Sequence, residues 1–376
     1  MLLAAVVVGC GGSTPPTPLP TLAPDAPSPT SAPLSGTPPA SGACALPPLR
    51  YRAAQLLLVA VPGTEPDDAN RALVRSGVGG VLLFGSNLVD ADQVRALVEG
   101  LQAEAEVPLA VAVDEEGGRV ARLAAAGILP ESPAARTLGK QKAAAVRAAA
   151  RAIGDGLVGL GITVDLAPVL DVTGAAADGV IGDRSFGASP TAVARSGVAF
   201  VQGLLDAGVA PVGKHFPGHG ETTVDSHTGL PVVSSSLEDL RAGALVPFRA
   251  AIEAGIPAIM LGHLLVRSID KARPASLSSA VVKLLRDDLG FDGLVMTDDV
   301  YMDAVTATWD VPVATELAVK AGADMVVLAG WDRTEDVLDR LVGGVKTGRL
   351  QESRLTDAFL HVERFKGVTR WDACGG

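Results

Sequence analysis

The chain has 376 residues and a formal net charge of −11, which excludes the clustered basic surface that nucleic-acid binding needs. Aromatic side chains make up 3% of it, so stacking platforms for bases or long glycans are few. Ala, Val, Leu and Gly dominate, which suits helices packed on parallel strands, as two domains or as one large α/β barrel with extra segments.

Met1 to Gly9 is apolar and ends in Val7-Val8-Gly9-Cys10, which looks like a bacterial lipobox with Cys10 as the acylated residue. The other reading of that run is the first turn of a buried helix. Residues 11–43 are mostly Pro, Ser, Thr, Ala and Gly with one charge, Asp25, and the stretch 11–47 reads as a disordered tether. A signal peptide opens with a basic segment, and the first Lys or Arg here is Arg50, so the lipobox reading expects an in-frame start further upstream. On this reading residues 1–10 carry the export signal. The protein is then lipid-anchored through Cys10 on the outer face of a bacterial cytoplasmic membrane, or else secreted. No later segment has the uninterrupted apolar length of a transmembrane helix. In an oxidising compartment the remaining pair, Cys44 and Cys374, is a disulfide candidate, with two free surface thiols as the alternative.

From about Leu46 apolar runs alternate with amphipathic stretches, the mark of βα repetition. Gln55–Val61 and Gly79–Phe84 read as the first two strands, followed by a helix over Asp90–Ala105. Leu109–Val113 is the third strand, and a long Ala-rich helix over Arg136–Leu160 leads to the fourth, Thr163–Leu166. Thr191–Ala207 is helical, Ala210–Gly213 is the fifth strand, Leu237–Ala254 is helical and Pro257–Leu261 is the sixth strand. Ser278–Leu289 is helical before the seventh strand, Gly293–Met296. Thr315–Ala321 is helical before the eighth, Asp324–Leu328, and helices close the chain near Phe365. Eight such repeats predict a (β/α)₈ barrel. An open doubly wound sheet would alternate in the same way, but no Gly-rich phosphate loop follows the first strand. Polar residues gather where strands end: Asn87, Asp114, Asp165, Lys214, His215, His263 and Asp298. In a barrel those ends converge on one mouth.

The fifth strand runs into Lys214-His215-Phe216-Pro217-Gly218-His219-Gly220-Glu221-Thr222-Thr223-Val224-Asp225-Ser226-His227. Pro217 and the two glycines break any helix here. Asp225 and His227 are one residue apart, so an extended segment would point both to one side. A carboxylate beside an imidazole fixes its tautomer and tunes its basicity, which suits proton transfer near neutral pH. The same residues also fit a polar surface loop with incidental histidines. His215 and His219, four apart, have a zinc-like spacing, but that spacing works on a helix, so no metal is expected.

The whole string resembles the KHFPGHG…DSH signature of glycoside hydrolase family 3 enzymes of the NagZ type, the β-N-acetylglucosaminidases. Three further strings carry the likeness. Asp114-Glu115-Glu116-Gly117-Gly118-Arg119-Val120 is similar to the family's D-Q/E-E-G-G-R-V, and Gly182-Asp183-Arg184-Ser185-Phe186-Gly187 to its G-x-R-S-F-G. Met296-Thr297-Asp298-Asp299-Val300 resembles its nucleophile strand, with Val300 where Leu is usual. The resemblance spans roughly Tyr51 to Lys366 and implies one catalytic barrel domain over residues 48–370. It implies retaining removal of terminal β-linked N-acetylglucosamine from peptidoglycan fragments, with Asp298 as nucleophile, His227 as acid/base and Asp225 orienting the imidazole. Asp114, Arg122, Arg184, Lys214 and His215 would hold the hydroxyls of the non-reducing sugar. No cofactor is implied, and a monomer is expected. A phosphorylase, with phosphate in place of water, and a non-catalytic muropeptide-binding lipoprotein are the alternatives. Arg119 reads as structural, His263 and Asp165 as supports behind the site, Asp299 as a structural hydrogen-bonding residue turned away by strand alternation, and Trp331 as packing, with stacking on a sugar as the alternative.

Overall fold

The computed structural model describes residues 45–374; Cys10, the tether up to Cys44, and Cys44 itself lie outside the described residues. Eight parallel strands close into a barrel. They are β1 (Leu57–Ala60), β2 (Gly80–Leu83), β3 (Ala110–Val113), β4 (Val164–Asp165), β5 (Ala210–Phe216), β6 (Ala258–Leu261), β7 (Leu294–Asp299) and β8 (Met325–Leu328). Each pairs with its chain neighbours, and β8 closes on β1 through Leu57↔Val326 and Val59↔Leu328. This is the (β/α)₈ barrel that the alternation predicted.

Side chains alternate across each strand, and the barrel uses both faces. Leu58, Leu82, Ala112, Val164, Val212, Met260, Met296 and Val327 pack together in the interior. Their outward neighbours, such as Val59, Val81, Val111 and Val295, pack beneath the surrounding helices. Strands buried on both faces therefore read as unbroken apolar runs.

Several boundaries differ from the sequence reading, and three of them have a clear local reason. Gln55 belongs to the helix Leu49–Gln55, which Leu56 caps, so β1 begins at Leu57. The apolar run Leu56-Leu57-Leu58 hid that junction. The stretch 136–160 is broken between the helices Ala135–Leu138 and Ala143–Val158. Gly139 lies so close to another segment there that a Cβ would sit 1.9 Å from the Phe186 carbonyl oxygen. Leu237–Ala254 divides at Gly243 into Leu237–Ala242 and Leu245–Glu253.

The last helix, Glu352–Phe365, closes the lower end, where Val362 and Phe365 reach the interior cluster. Beyond it Trp371 is buried with its ring edge-on to Phe359 at 5.0 Å, and Cys374 is disulfide-bonded.

Candidate active site

Two strand irregularities shape the mouth of the barrel. In β5 the pairing with β6 passes from Gly213↔Ile259 to Phe216↔Leu261, so one extra residue is accommodated at 214–215. In β7 the pairing with β8 passes from Met296↔Met325 to Asp299↔Val327 in the same way. A regular strand would send adjacent side chains to opposite faces, and a bulge re-aims them. Both members of each polar pair, Lys214 with His215 and Asp298 with Asp299, consequently line one cavity. Its volume is about 220 Å³, and Asp114, Arg122, Arg184, His219, Asp225 and His227 line it as well. Its inner wall is apolar: Leu82, Leu166, Met260 and Val327, all part of the barrel interior. All eight residues singled out above as catalytic or sugar-holding thus meet in a single site.

The cations of the site are held by carboxylates. Buried Lys214 places Nζ 2.6 Å from Asp114 and 2.7 Å from Glu116. Glu116, 3% exposed, also takes both arms of Arg184, at 2.8 Å from Nε and 2.7 Å from Nη2. Burial alone would raise the Glu116 carboxyl, but Arg184 and Lys214 outweigh it and hold it well below the usual carboxylate range. Burial likewise works against the charge on Lys214, and Asp114 and Glu116 reverse that effect. Arg122 is set at the start of the short helix Arg122–Ala125, where Glu115 accepts the Leu123 N–H at 2.8 Å. Its buried Nε has no hydrogen-bond partner among the described residues.

His215 donates its backbone N–H to Asp171 at 3.4 Å and sets Nδ1 2.7 Å from the same carboxylate. Fully buried Asp171 also accepts the His219 N–H at 2.6 Å, so one carboxylate fixes both ends of the Pro-Gly turn. Asp298, half-buried at the end of β7, accepts the Asp299 N–H at 2.8 Å. Burial would raise its carboxyl; the imidazoles of His215 and His263, that N–H and the Lys214 ammonium prevail and keep it below the ordinary range. Asp299 accepts from Ala329 at 2.8 Å and from Tyr301 at 3.1 Å, and burial still pushes its carboxyl up to about 6. It makes the structural hydrogen bonds expected of it, yet the bulge brings it to the cavity wall, where alternation alone would not.

The Asp225–His227 pair is built differently from an extended segment. Residues 226–228 form a turn, with Thr228 N–H donated to the Asp225 carbonyl at 2.9 Å. The Asp225 carboxylate accepts the His227 N–H at 3.0 Å and lies 2.8 Å from its Nδ1. An Asp side chain bonding the backbone two residues on is a local turn preference, and here it also captures the ring. The His227 side chain is 67% exposed at the mouth. Burial would raise the Asp225 carboxyl, but the two bonds from His227 leave it lowered.

Residues behind the site brace it. Arg119 pairs with Asp183 at 3.0 Å and donates to the carbonyls of Gly179, Val180 and Ile181, which steadies the loop leading to Arg184. His263 bridges Ser276 and the Asp299 carbonyl, each at 2.7 Å. Asp165 accepts the Glu115 N–H at 3.0 Å. No sequence pattern assigns a role to Glu116, Asp171 or His219, although Glu116 lies within the string 114–120. Asp171 carried no motif at all. Trp331 is only partly packed; it is 47% exposed beyond β8. Among the described residues a metal-like grouping occurs at Asp324, Asp357 and His361, below the barrel, where Arg286 and Arg354 already neutralise Asp324 at 2.5 Å each.

Known proteins resemble this chain along most of its length. "Beta-hexosaminidase LpqI" of Mycobacterium tuberculosis is 42% identical over 325 residues, covering 85% of this chain and 82% of its own. A "Beta-hexosaminidase" of Thiobacillus denitrificans is 39% identical over 295 residues, covering 76% and 81%. Among solved structures, a glycoside hydrolase family 3 β-N-acetylglucosaminidase from a Paenibacillus species superposes with a TM-score of 0.82 at 38% identity. It covers 86% of this chain, and this chain spans 63% of that longer protein. The M. tuberculosis LpqI structure gives 0.79 at 39% identity, over 86% and 97%. The family described as "Glycosyl hydrolase family 3 N terminal domain" matches residues 48–365, and the chain, a glycoside hydrolase, belongs to that family.

Proposed function

We propose that this protein is a retaining exo-β-N-acetylglucosaminidase acting on peptidoglycan fragments, with Asp298 as nucleophile and His227 as acid/base. The observation that carries the reading is a blind cavity. It is apolar at its base and lined above by Asp298, the Asp225–His227 pair and the Lys214/Arg184/Asp114 network. A closed end suits a terminal sugar rather than a chain interior. Relatives named β-hexosaminidase support the substrate class.

In the first step an Asp298 carboxylate oxygen bonds to the anomeric carbon as the glycosidic C–O bond breaks, and the departing oxygen takes a proton from His227 Nε2. Asp225 on Nδ1 stabilises the imidazolium and leaves Nε2 for the substrate. In the second step His227 accepts a proton from water as the water oxygen displaces Asp298 at the anomeric carbon. Lys214, Arg184, Arg122, His215 and Asp114 would orient the ring through its hydroxyls, so that binding serves alignment. None of these steps calls for a metal.

A fluorinated mechanism-based N-acetylglucosaminide that keeps the 2-acetamido group should label Asp298, and Asp298→Asn should abolish turnover with the fold retained. Label on Asp299 would overturn the assignment. Products from purified wall fragments, with and without phosphate, separate hydrolase from phosphorylase; no turnover at all would favour a binding lipoprotein. We also infer a lipid anchor on Cys10, from the lipobox-like string and the Pro-rich stretch after it. Membrane fractionation of Cys10→Ala against wild type checks it, and a soluble, unacylated wild type would sink it.

A further inference from the structure

We propose that Trp331 is a stacking platform for the leaving sugar, forming the aglycone side of the site; this rests on the glycosidase reading above. Trp331 is the one aromatic among the exposed large apolar side chains of the described residues, at 47% exposure. Covering an indole left half in water is favourable, so it offers a ready apolar face to a ligand.

The backbone that presents it is firmly held. Ala329 donates its N–H to Asp299 at 2.8 Å, and a Cβ at Gly330 would lie 2.6 Å from the Tyr301 ring. The Trp331 carbonyl accepts from Thr334 Oγ1 at 2.7 Å, and Tyr301 donates to Asp332 at 3.3 Å. An exposed residue on a floppy tip would call for no special account. An exposed indole on a segment anchored on both sides does.

Its position is also determined. Trp331 lies outside the cavity lining and two residues beyond Ala329, so its α-carbon is within about 7 Å of that of Ala329, which donates to Asp299, the neighbour of Asp298. The acid/base loop leans on the same element: Ala304, five residues after Asp299, donates its N–H to the Ser226 carbonyl at 3.1 Å. The Trp331 segment and the His227 loop therefore flank one short stretch after β7. The leaving oxygen must lie beside His227, so the sugar attached to it leaves the cavity over this stretch. The C–H face of a pyranose is apolar and slightly positive, which complements the negative face of the indole ring.

The experiment compares two substrates that share the glycone. One is the β-linked disaccharide of N-acetylglucosamine and N-acetylmuramic acid; the other is β-N-acetylglucosaminyl fluoride, whose leaving group fills no aglycone site. Trp331→Ala should lower kcat/KM on the disaccharide roughly tenfold, mostly through KM, and leave the fluoride unchanged. Trp331→Phe should restore most of the loss, and it keeps the test valid if the alanine variant folds poorly. Equal loss on both substrates, or no loss on either, overturns the platform. Failure of the wild type to hydrolyse even the fluoride would overturn the glycosidase reading, and the platform with it.

Discussion

Glu116 shows how one buried charge sets the character of the whole site. It is the shared partner of Arg184 and Lys214, so two cations of the site depend on a residue that does not itself line the cavity. Its folded carboxyl lies below the ordinary value of 4.5, so its stabilisation is complete above the unfolded value and is lost as pH falls through the folded one. Glu116→Gln should lower stability at neutral pH by about 3–5 kcal/mol, because two buried cations lose their partner. Its melting temperature should also fall less steeply than that of wild type below pH 4.5, and parallel curves would contradict this account. His227, exposed and held by a single carboxylate, makes the opposite kind of residue: replaceable for folding, indispensable to the proposed chemistry. His227→Ala should lower kcat on natural disaccharides by roughly 10²–10⁴ with an unchanged melting temperature. The loss should be least for leaving groups that need no proton, and full activity on the disaccharide would assign the acid/base elsewhere.

The loop that carries Asp225 and His227 is positioned by a close backbone approach as well as by its own side chains. Gly220 lies against the segment after β4, where a Cβ would come 2.0 Å from the Val172 carbonyl oxygen. A backbone carbonyl cannot swing aside as a flexible side chain can, so any larger residue must displace the loop. Gly220→Ala should therefore cut kcat at least tenfold, a misplacement effect, while circular dichroism stays that of the wild type. The two bulges act in a similar way on β5 and β7, since each exchanges one regular pairing for two side chains aimed at the mouth. Activity retained in Gly220→Ala would mean that the loop finds its place by other contacts.

At the scale of the whole molecule the barrel is sealed below by its last helix, and the chain continues to a disulfide at Cys374. We propose Cys44 as its partner. Such a bridge encloses nearly the entire domain, where chain-entropy arguments give on the order of 5 kcal/mol. Intact-mass analysis of a Cys10→Ser variant should show the loss of two hydrogens, reversed by reductant, with a lower melting temperature after reduction. Two freely alkylatable thiols under oxidising conditions would exclude the pairing.

The repeat of apolar runs and amphipathic stretches was enough to determine the barrel, because strands buried on both faces and helices buried on one leave distinct periodicities. Asp114, Lys214 and Asp298 were legible as strand ends, which must converge in a barrel, whereas Arg184 and His227 were marked only by the resemblance of their strings to a family signature. Strand alternation, however, predicted that Asp299 would turn away and that an extended segment would align Asp225 with His227. Bulges and a turn decided otherwise, because they depend on register with a neighbouring strand and on hydrogen bonds closed in three dimensions. Asp171, Glu116 and the exposure of Trp331 were decided by tertiary structure alone. What each side chain meets comes from segments distant in the chain, and no local pattern records that.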